Sequence, residues 1–205
     1  MKKIIINHWL SIIKKYTNYD ETKLKEIEYG LTGIYLTISK LIVIVIISLL
    51  LNIFKETIIL LLLFNLIRLI SFGIHAKNSW ICLLSSIIIF IGAPYLALKI
   101  KFNISVKIVV GIINIIFIFL NSPADTKKRP IVNQKRRKVY KLISTMIAIV
   151  YVFLSCIIKN NYVSNSLILV LIIQNILISP CTYKLCKEPY KNYINFLKEH
   201  PDFAK

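Results

Sequence analysis

Acidic residues are scarce in this chain: 9 Asp and Glu stand against 27 Lys and Arg, a formal net charge of +18 at pH 7. Charged residues of both signs make up only 18% of the 205 positions, while 57% are hydrophobic. The surface a soluble domain of this size hides is limited by its surface-to-volume ratio, so lipid must solvate the apolar excess. Glycine (5) and proline (6) are few, and no Gly/Ser-rich or Pro-rich stretch is long enough to serve as a linker between domains. The four cysteines, Cys82, Cys156, Cys181 and Cys186, do not form the disulfide framework of a small secreted fold. Cys181 and Cys186 have no His or further Cys at metal-ligand spacing, and neither a metal nor an organic cofactor is called for. The basic residues fall between apolar runs, which fits membrane topology and contact with anionic lipid; no nucleic-acid partner is expected. Lys2 and Lys3 before Ile4, Ile5 and Ile6 imitate the start of a signal peptide. Asn7, His8, Lys14 and Lys15 interrupt it, so no cleavable signal is expected.

What the chain does have is a series of long apolar runs. They cover about 34–53, 57–72, 80–98, 104–121, 142–158 and 163–180, each near the roughly 17–25 residues that span a bilayer core as a helix. Backbone exposed to lipid must satisfy its own hydrogen bonds, so these are helices. The second run is short and ends in Arg68, and Pro94 is expected to kink the third. Asn65 and Asn114 are expected to face other helices. Ahead of the runs, Ile5, Ile6, Trp9, Ile12, Ile13 and Tyr16 recur at helical spacing, which predicts an amphipathic helix on an anionic membrane surface. A second short helix is expected from about Asp20 to Tyr29, with Gly30 as its stop. With six spans and an inside N-terminus, about 21 of the basic residues lie on the cytoplasmic side. About 5 lie outside: Lys55, Lys99, Lys101, Lys107 and Lys159. Lys40, inside the first span, is expected to snorkel inward. The fold class is therefore all-α integral membrane, about six transmembrane helices plus the interfacial helix, both termini cytoplasmic. It forms one domain, with an N-terminal region 1–33, a bundle 34–180 and a tail 181–205.

Chemistry is expected in the second cytoplasmic connection. It holds Arg68 at its entrance, then His75, Lys77, Ser79 and Cys82. Of three histidines, His8 and His200 lie in terminal segments, and His75 alone lies beside a cysteine. A thiol becomes a nucleophile when an imidazole takes its proton or when nearby positive charge favours the thiolate. The interval from His75 to Cys82 allows that meeting in a helix or in a turn entering one. The plainer alternative is a packing cysteine and a solvated histidine. The next cytoplasmic loop carries Pro123, Asp125, Lys127, Lys128, Arg129 and Pro130, then Arg136, Arg137 and Lys138. Asp125 is either an orienting acid for His75 or a structural residue that caps a helix or pairs with a Lys. The basic cluster either enforces topology at anionic lipid or also holds an acidic segment of a substrate.

Three features together resemble the accessory gene regulator B (AgrB) family of quorum-sensing membrane peptidases from Gram-positive bacteria. They are Arg68-Leu-Ile-Ser-Phe-Gly-Ile-His75-Ala76, similar to the family's R-x-x-x-G-G-x-H-A; the interval from His75 to Cys82; and Pro-Ala-Asp-Thr-Lys-Lys-Arg-Pro at 123–130. Phe72 departs from the pattern, standing where the first glycine is expected and leaving less freedom for positive φ. The resemblance implies a cysteine endopeptidase in which Cys82 is the nucleophile and His75 the base and then the acid. Its substrate would be an AgrD-like pro-peptide with an amphipathic N-terminal helix and an acidic C-terminal segment. The resemblance also implies a homodimer. Rival readings are a small transporter, which predicts midplane charges and an inverted repeat, and a non-enzymatic scaffold.

Overall fold

In the computed structural model, described over residues 2–17, 19–74, 78–127 and 130–200, ten α-helices account for nearly all regular structure. His75, Lys77, Lys128 and Arg129 lie outside the described residues, and the side chain of Ser79 is likewise not described. Helix α1 (Lys2–Tyr16) lies against α2 (Glu21–Leu50). Asp20 caps α2, its carboxylate accepting from Lys23 N at 3.2 Å and from Thr22 Oγ1 at 2.5 Å. The helix then runs straight through Gly30 and Gly33 into the first apolar run, where a separate short helix and a stop were expected. A glycine in mid-helix costs only about 1 kcal/mol, and neither glycine adopts the positive φ that ends a helix.

Helices α3 (Phe54–Ser71), α6 (Ile104–Asn121), α7 (Gln134–Ile157) and α8 (Asn161–Ile178) follow the expected runs. The third run is composite: α4 (Ser79–Ile87), a π segment (Ile88–Gly92) and α5 (Ala93–Lys99). Proline removes a backbone donor, and a π turn just ahead of Pro94 takes up the misfit while the helix continues. Five helices are long and apolar enough to cross a membrane: α2, the composite α4–α5, α6, α7 and α8. Helix α3 carries Lys55, Glu56 and Arg68 toward its two ends and packs against α8 and α7. Helix α7 begins earlier than its apolar run, capped by Asn133, whose side chain accepts from Arg136 N. Lys135, Arg136, Arg137 and Lys138 thus ride on the first turns of a helix, not in a loop.

The centre is α8. Its apolar window is 56% buried, against 11–22% for the other four candidates, so those four present most of their surface outward, as lipid-facing helices do. Polar residues join it to its neighbours. Asn175 Nδ2 donates to Asn114 Oδ1 at 2.5 Å, so Asn114 faces another helix as expected, whereas Asn65 is exposed. Near the start of α8, Tyr162 OH donates to Glu56 O, Asn165 Nδ2 to Ala97 O, and Lys107 Nζ to Ser164 Oγ. Near its end, Gln174 Nε2 donates to Ser71 Oγ and Phe72 O, and Leu177 O accepts from Ile74 N. The six helical bodies therefore alternate in direction, and the connections after α3 and after α6 emerge at one end. The C-terminal residues do not trail away: α9 (Pro180–Leu185) and α10 (Asn192–Glu199) fold under that same end.

Candidate active site

Helix α3 ends on the residues that build the first wall of the site. Arg68, one turn from the end, turns its guanidinium onto three successive carbonyls: Nη1 donates to Phe72 O at 2.6 Å, and Nη2 to Gly73 O at 3.2 Å and Ile74 O at 2.5 Å. A planar fork with five donors suits this multiple capture, which a lysine could not reproduce. Gly73 has φ of +120°, and a Cβ there would collide with Arg68 Nη1 and sit 3.0 Å from Leu177 O. Glycine is therefore needed twice over, for its conformation and for the approach of the guanidinium. Phe72 has φ of +56° and ψ of −138°, so the chain takes the turn expected of a glycine with a side chain in place. Its ring packs edge-to-face on Tyr140 of α7, centroids 5.2 Å apart.

The same strand of residues is tied to the second motif. Gly73 N donates to Ala124 O at 2.8 Å and Ala124 N to Ser71 O at 3.0 Å, an isolated parallel bridge between Phe72 and Ala124. The Ser122–Pro123 peptide is cis, and residues Ser122 to Asp125 are all buried. Two motifs some fifty residues apart thus form one tertiary unit, which ends at Ile74, immediately before His75.

Asp125 holds the second motif to the C-terminal cap. Its Oδ2 accepts from Tyr193 N at 2.8 Å and Ile131 N at 3.4 Å and lies 3.5 Å from Arg137 Nη1. Its carbonyl accepts from Tyr183 OH and Asn192 Nδ2. Burial pushes the Asp125 carboxyl above the ordinary carboxylate value, and the Arg137 charge and the two backbone donors pull it back. Burial likewise pushes the Tyr183 phenol up, keeping it a neutral donor. Arg137 also stacks over the Tyr193 ring, 3.6 Å from its centroid. So Arg137 is committed within the fold, while Lys127, Lys135, Arg136 and Lys138 are exposed.

Cys82 lies in the first turn of α4. Asn78 caps that helix by accepting from Trp80 N at 3.0 Å, and Asn78 O accepts from Cys82 N at 2.9 Å. The thiol is half-buried and free of any disulfide. Lys40 of α2, forty-two residues away, donates from Nζ to Cys82 Sγ at 3.3 Å. Lys40, expected to snorkel inward, turns its ammonium onto that sulfur. The available signal was its position, a charge inside an apolar span, which in membranes marks function and calls for a named partner. Among the described residues no group of three or more His, Cys, Asp or Glu converges as a metal site would require.

The chain is similar to known proteins over most of its length. An AgrB-like protein of Clostridium acetobutylicum is 30% identical over 184 residues, 90% of this chain and 88% of that protein. Accessory gene regulator protein B of Staphylococcus aureus is 30% identical over 176 residues, covering 85% and 92% of the two chains. That of Staphylococcus carnosus is 31% identical over 165 residues, covering 79% and 86%. No solved structure matches the chain. The family described as accessory gene regulator B matches residues 6–178, a stretch that contains both motifs, Lys40 and Cys82, and the chain belongs to that family.

Proposed function

We propose that this membrane protein is a cysteine endopeptidase that removes the C-terminal segment of an AgrD-like pro-peptide and leaves the remainder ready to cyclise. Cys82 is the nucleophile. Its thiol proton passes to His75, and the sulfur attacks the scissile carbonyl. As the C–N bond breaks, His75 gives that proton to the leaving amine, and the peptide stays behind as a thioester on Cys82. A Cys or Ser of the peptide then attacks the thioester carbonyl, closing a thiolactone or lactone ring and freeing Cys82. Exchange of one thioester for another keeps the activated bond, whereas water would discard it. A site among apolar helices helps to exclude that water.

The observation that carries this reading is the junction of the two motifs. Arg68, Ala124 and Leu177 fix the backbone up to Ile74, just before His75, at the same end of the bundle where Cys82 opens α4. Such rigidity is what a reacting pair needs, because misplacement by about 1 Å can cost roughly 100-fold in rate. We further place this end at the cytoplasmic face, with six crossings, both termini inside and the protein in the cell membrane. The lopsided distribution of Lys and Arg supports that orientation.

The test is processing of a synthetic pro-peptide by protein reconstituted in liposomes. Cys82→Ala and His75→Ala should each lower cleavage by at least about 100-fold while the protein still inserts. Mass spectrometry should find a hydroxylamine-labile peptide adduct on the Cys82 fragment of the wild type. Cleavage persisting in Cys82→Ala would remove Cys82 as the nucleophile and with it the proposal, and a wild type that leaves the pro-peptide intact would favour a transporter or scaffold, which has no use for the thiol.

A further inference from the structure

Lys40 stands in the apolar part of α2, between Ile34-Tyr-Leu-Thr-Ile-Ser39 and Leu41-Ile-Val-Ile-Val45. Among the described residues no carboxylate forms a salt bridge with it, and its ammonium is directed onto the sulfur of Cys82 at 3.3 Å. With the lysine charged and the thiol neutral, this is a poor match. An ammonium is a compact, strongly hydrated charge that is costly among apolar helices, and a thiol sulfur is a weak acceptor that repays little of the cost. As an ammonium and a thiolate the pair is a good match, since opposite charges attract strongly where water is sparse. The contact therefore suits a sulfur that is an anion in part of the reaction cycle.

We propose that Lys40 is a third catalytic residue of this site, its ammonium holding the negative charge on Cys82 Sγ before attack and again when ring closure expels that sulfur. The proposal rests on the reading of Cys82 as the nucleophile. The proton account does not change: Lys40 stays protonated throughout, the thiol proton goes to His75 and then to the leaving amine. In the second step the peptide's thiol or hydroxyl gives its proton to His75 as it forms the new bond to carbon, and the electron pair of the old C–S bond returns to Sγ beside Lys40. A stabilised thiolate leaves faster. Lys40 therefore biases the exchange toward the released ring, and its loss should slow acylation and also leave more of the enzyme as thioester.

Two measurements on the full-length protein in detergent or liposomes test this. The first is the rate of alkylation at neutral pH by iodoacetamide, read by mass spectrometry on the Cys82 fragment, with exposed Cys181 as the internal reference. Lys40→Met, which suits an apolar span, should slow alkylation of Cys82 by about tenfold or more and leave Cys181 unaffected. Lys40→Arg, which keeps the charge, should recover most of the loss. The second is single-turnover cleavage of the pro-peptide, which should fall in Lys40→Met and be partly restored in Lys40→Arg. Wild-type alkylation of Cys82 in Lys40→Met overturns the proposal, and so does slowed alkylation with undiminished cleavage. Should Cys82→Ala still cleave the peptide, the peptidase reading itself has failed. Should Cys82→Ala be inert while Lys40→Met behaves as wild type, only the role of Lys40 has failed.

Discussion

At the scale of single residues, the most informative position is the one where the chain departs from its family's pattern. Phe72 adopts φ of +56° with ψ of −138°, a region that side chains other than hydrogen enter at a cost of about 1–3 kcal/mol. The surroundings hold it there: Arg68 and Gln174 both donate to its carbonyl, its own N donates to Arg68 O, and its ring finds Tyr140. Replacing it tests whether the turn or the ring matters more. Phe72→Ala loses the aromatic contact and keeps the strain. Phe72→Gly loses the same contact but relieves the backbone. In an ordinary helix or strand alanine is the more stable of the two by about 0.5–1 kcal/mol. Here the order should reverse, with Phe72→Gly the more stable by about 1 kcal/mol. Thermal unfolding in detergent, followed by far-ultraviolet circular dichroism, measures the difference. An alanine variant as stable as the glycine variant would mean that the turn is not held in the conformation described.

At the scale of elements, the apolar runs were legible because lipid leaves a chain few options: a run near twenty residues long must be helix. Their ends were less so. Gly30 reads as a stop in isolation, but no turn at that point calls for positive φ, and α2 continues past it. The basic residues after Pro130 read as a loop because they are not apolar, yet helices need only a cap and propensity, and Asn133 supplies the cap. The pairing of α10 with Asp125 was invisible, since a backbone donor at Tyr193 leaves no trace in composition. Nor could the sequence join Lys40 to Cys82, which meet only through the packing of α2 on α4. The start of α7 now separates two kinds of basic residue that looked alike as a cluster. Arg137 faces Asp125 and Tyr193, and Arg137→Gln should destabilise the fold by about 3 kcal/mol by leaving a buried carboxylate short of its partner. Arg136 and Lys138 are exposed, and under the proposed function they are the residues of this turn that an acidic pro-peptide tail would reach. The double variant Arg136→Gln with Lys138→Gln should raise KM for the pro-peptide about threefold to tenfold with kcat little changed. It should also weaken the salt dependence of cleavage. Unchanged KM and salt dependence in a folded double variant would rule out docking on this turn.

At the scale of the whole molecule, α8 acts as a ruler for the direction of α3, α5 and α6. Its first turns touch the start of α3 at Glu56, the end of α5 at Ala97 and the start of α6 at Lys107. Its last turns touch the end of α3 at Ser71 and the backbone of Ile74. Helix α3 therefore runs the full way between the two ends, and its charges sit where water or headgroups can reach them, apart from the guanidinium of Arg68 that the turn before His75 absorbs. Taking α3 as a crossing keeps Lys55, Lys99, Lys101, Lys107 and Lys159 at one end and the dense basic residues at the other, as orientation by positive charge requires. Omitting it would leave an odd number of crossings and put the N-terminal helix and the C-terminal cap on opposite sides, although both sit at the end that carries the motifs. Labelling with a membrane-impermeant maleimide distinguishes the two. Native Cys181 and Cys186, both exposed, should label only after the cells are permeabilised, whereas Lys101→Cys and Lys159→Cys, also at exposed positions, should label in intact cells. Labelling of Cys181 from outside would invert the proposed orientation and carry the proposed active site away from the cytoplasmic face. Equal labelling of Lys101→Cys and Cys181 in intact cells would instead break the alternation itself, and with it the placement of both motif loops at one surface.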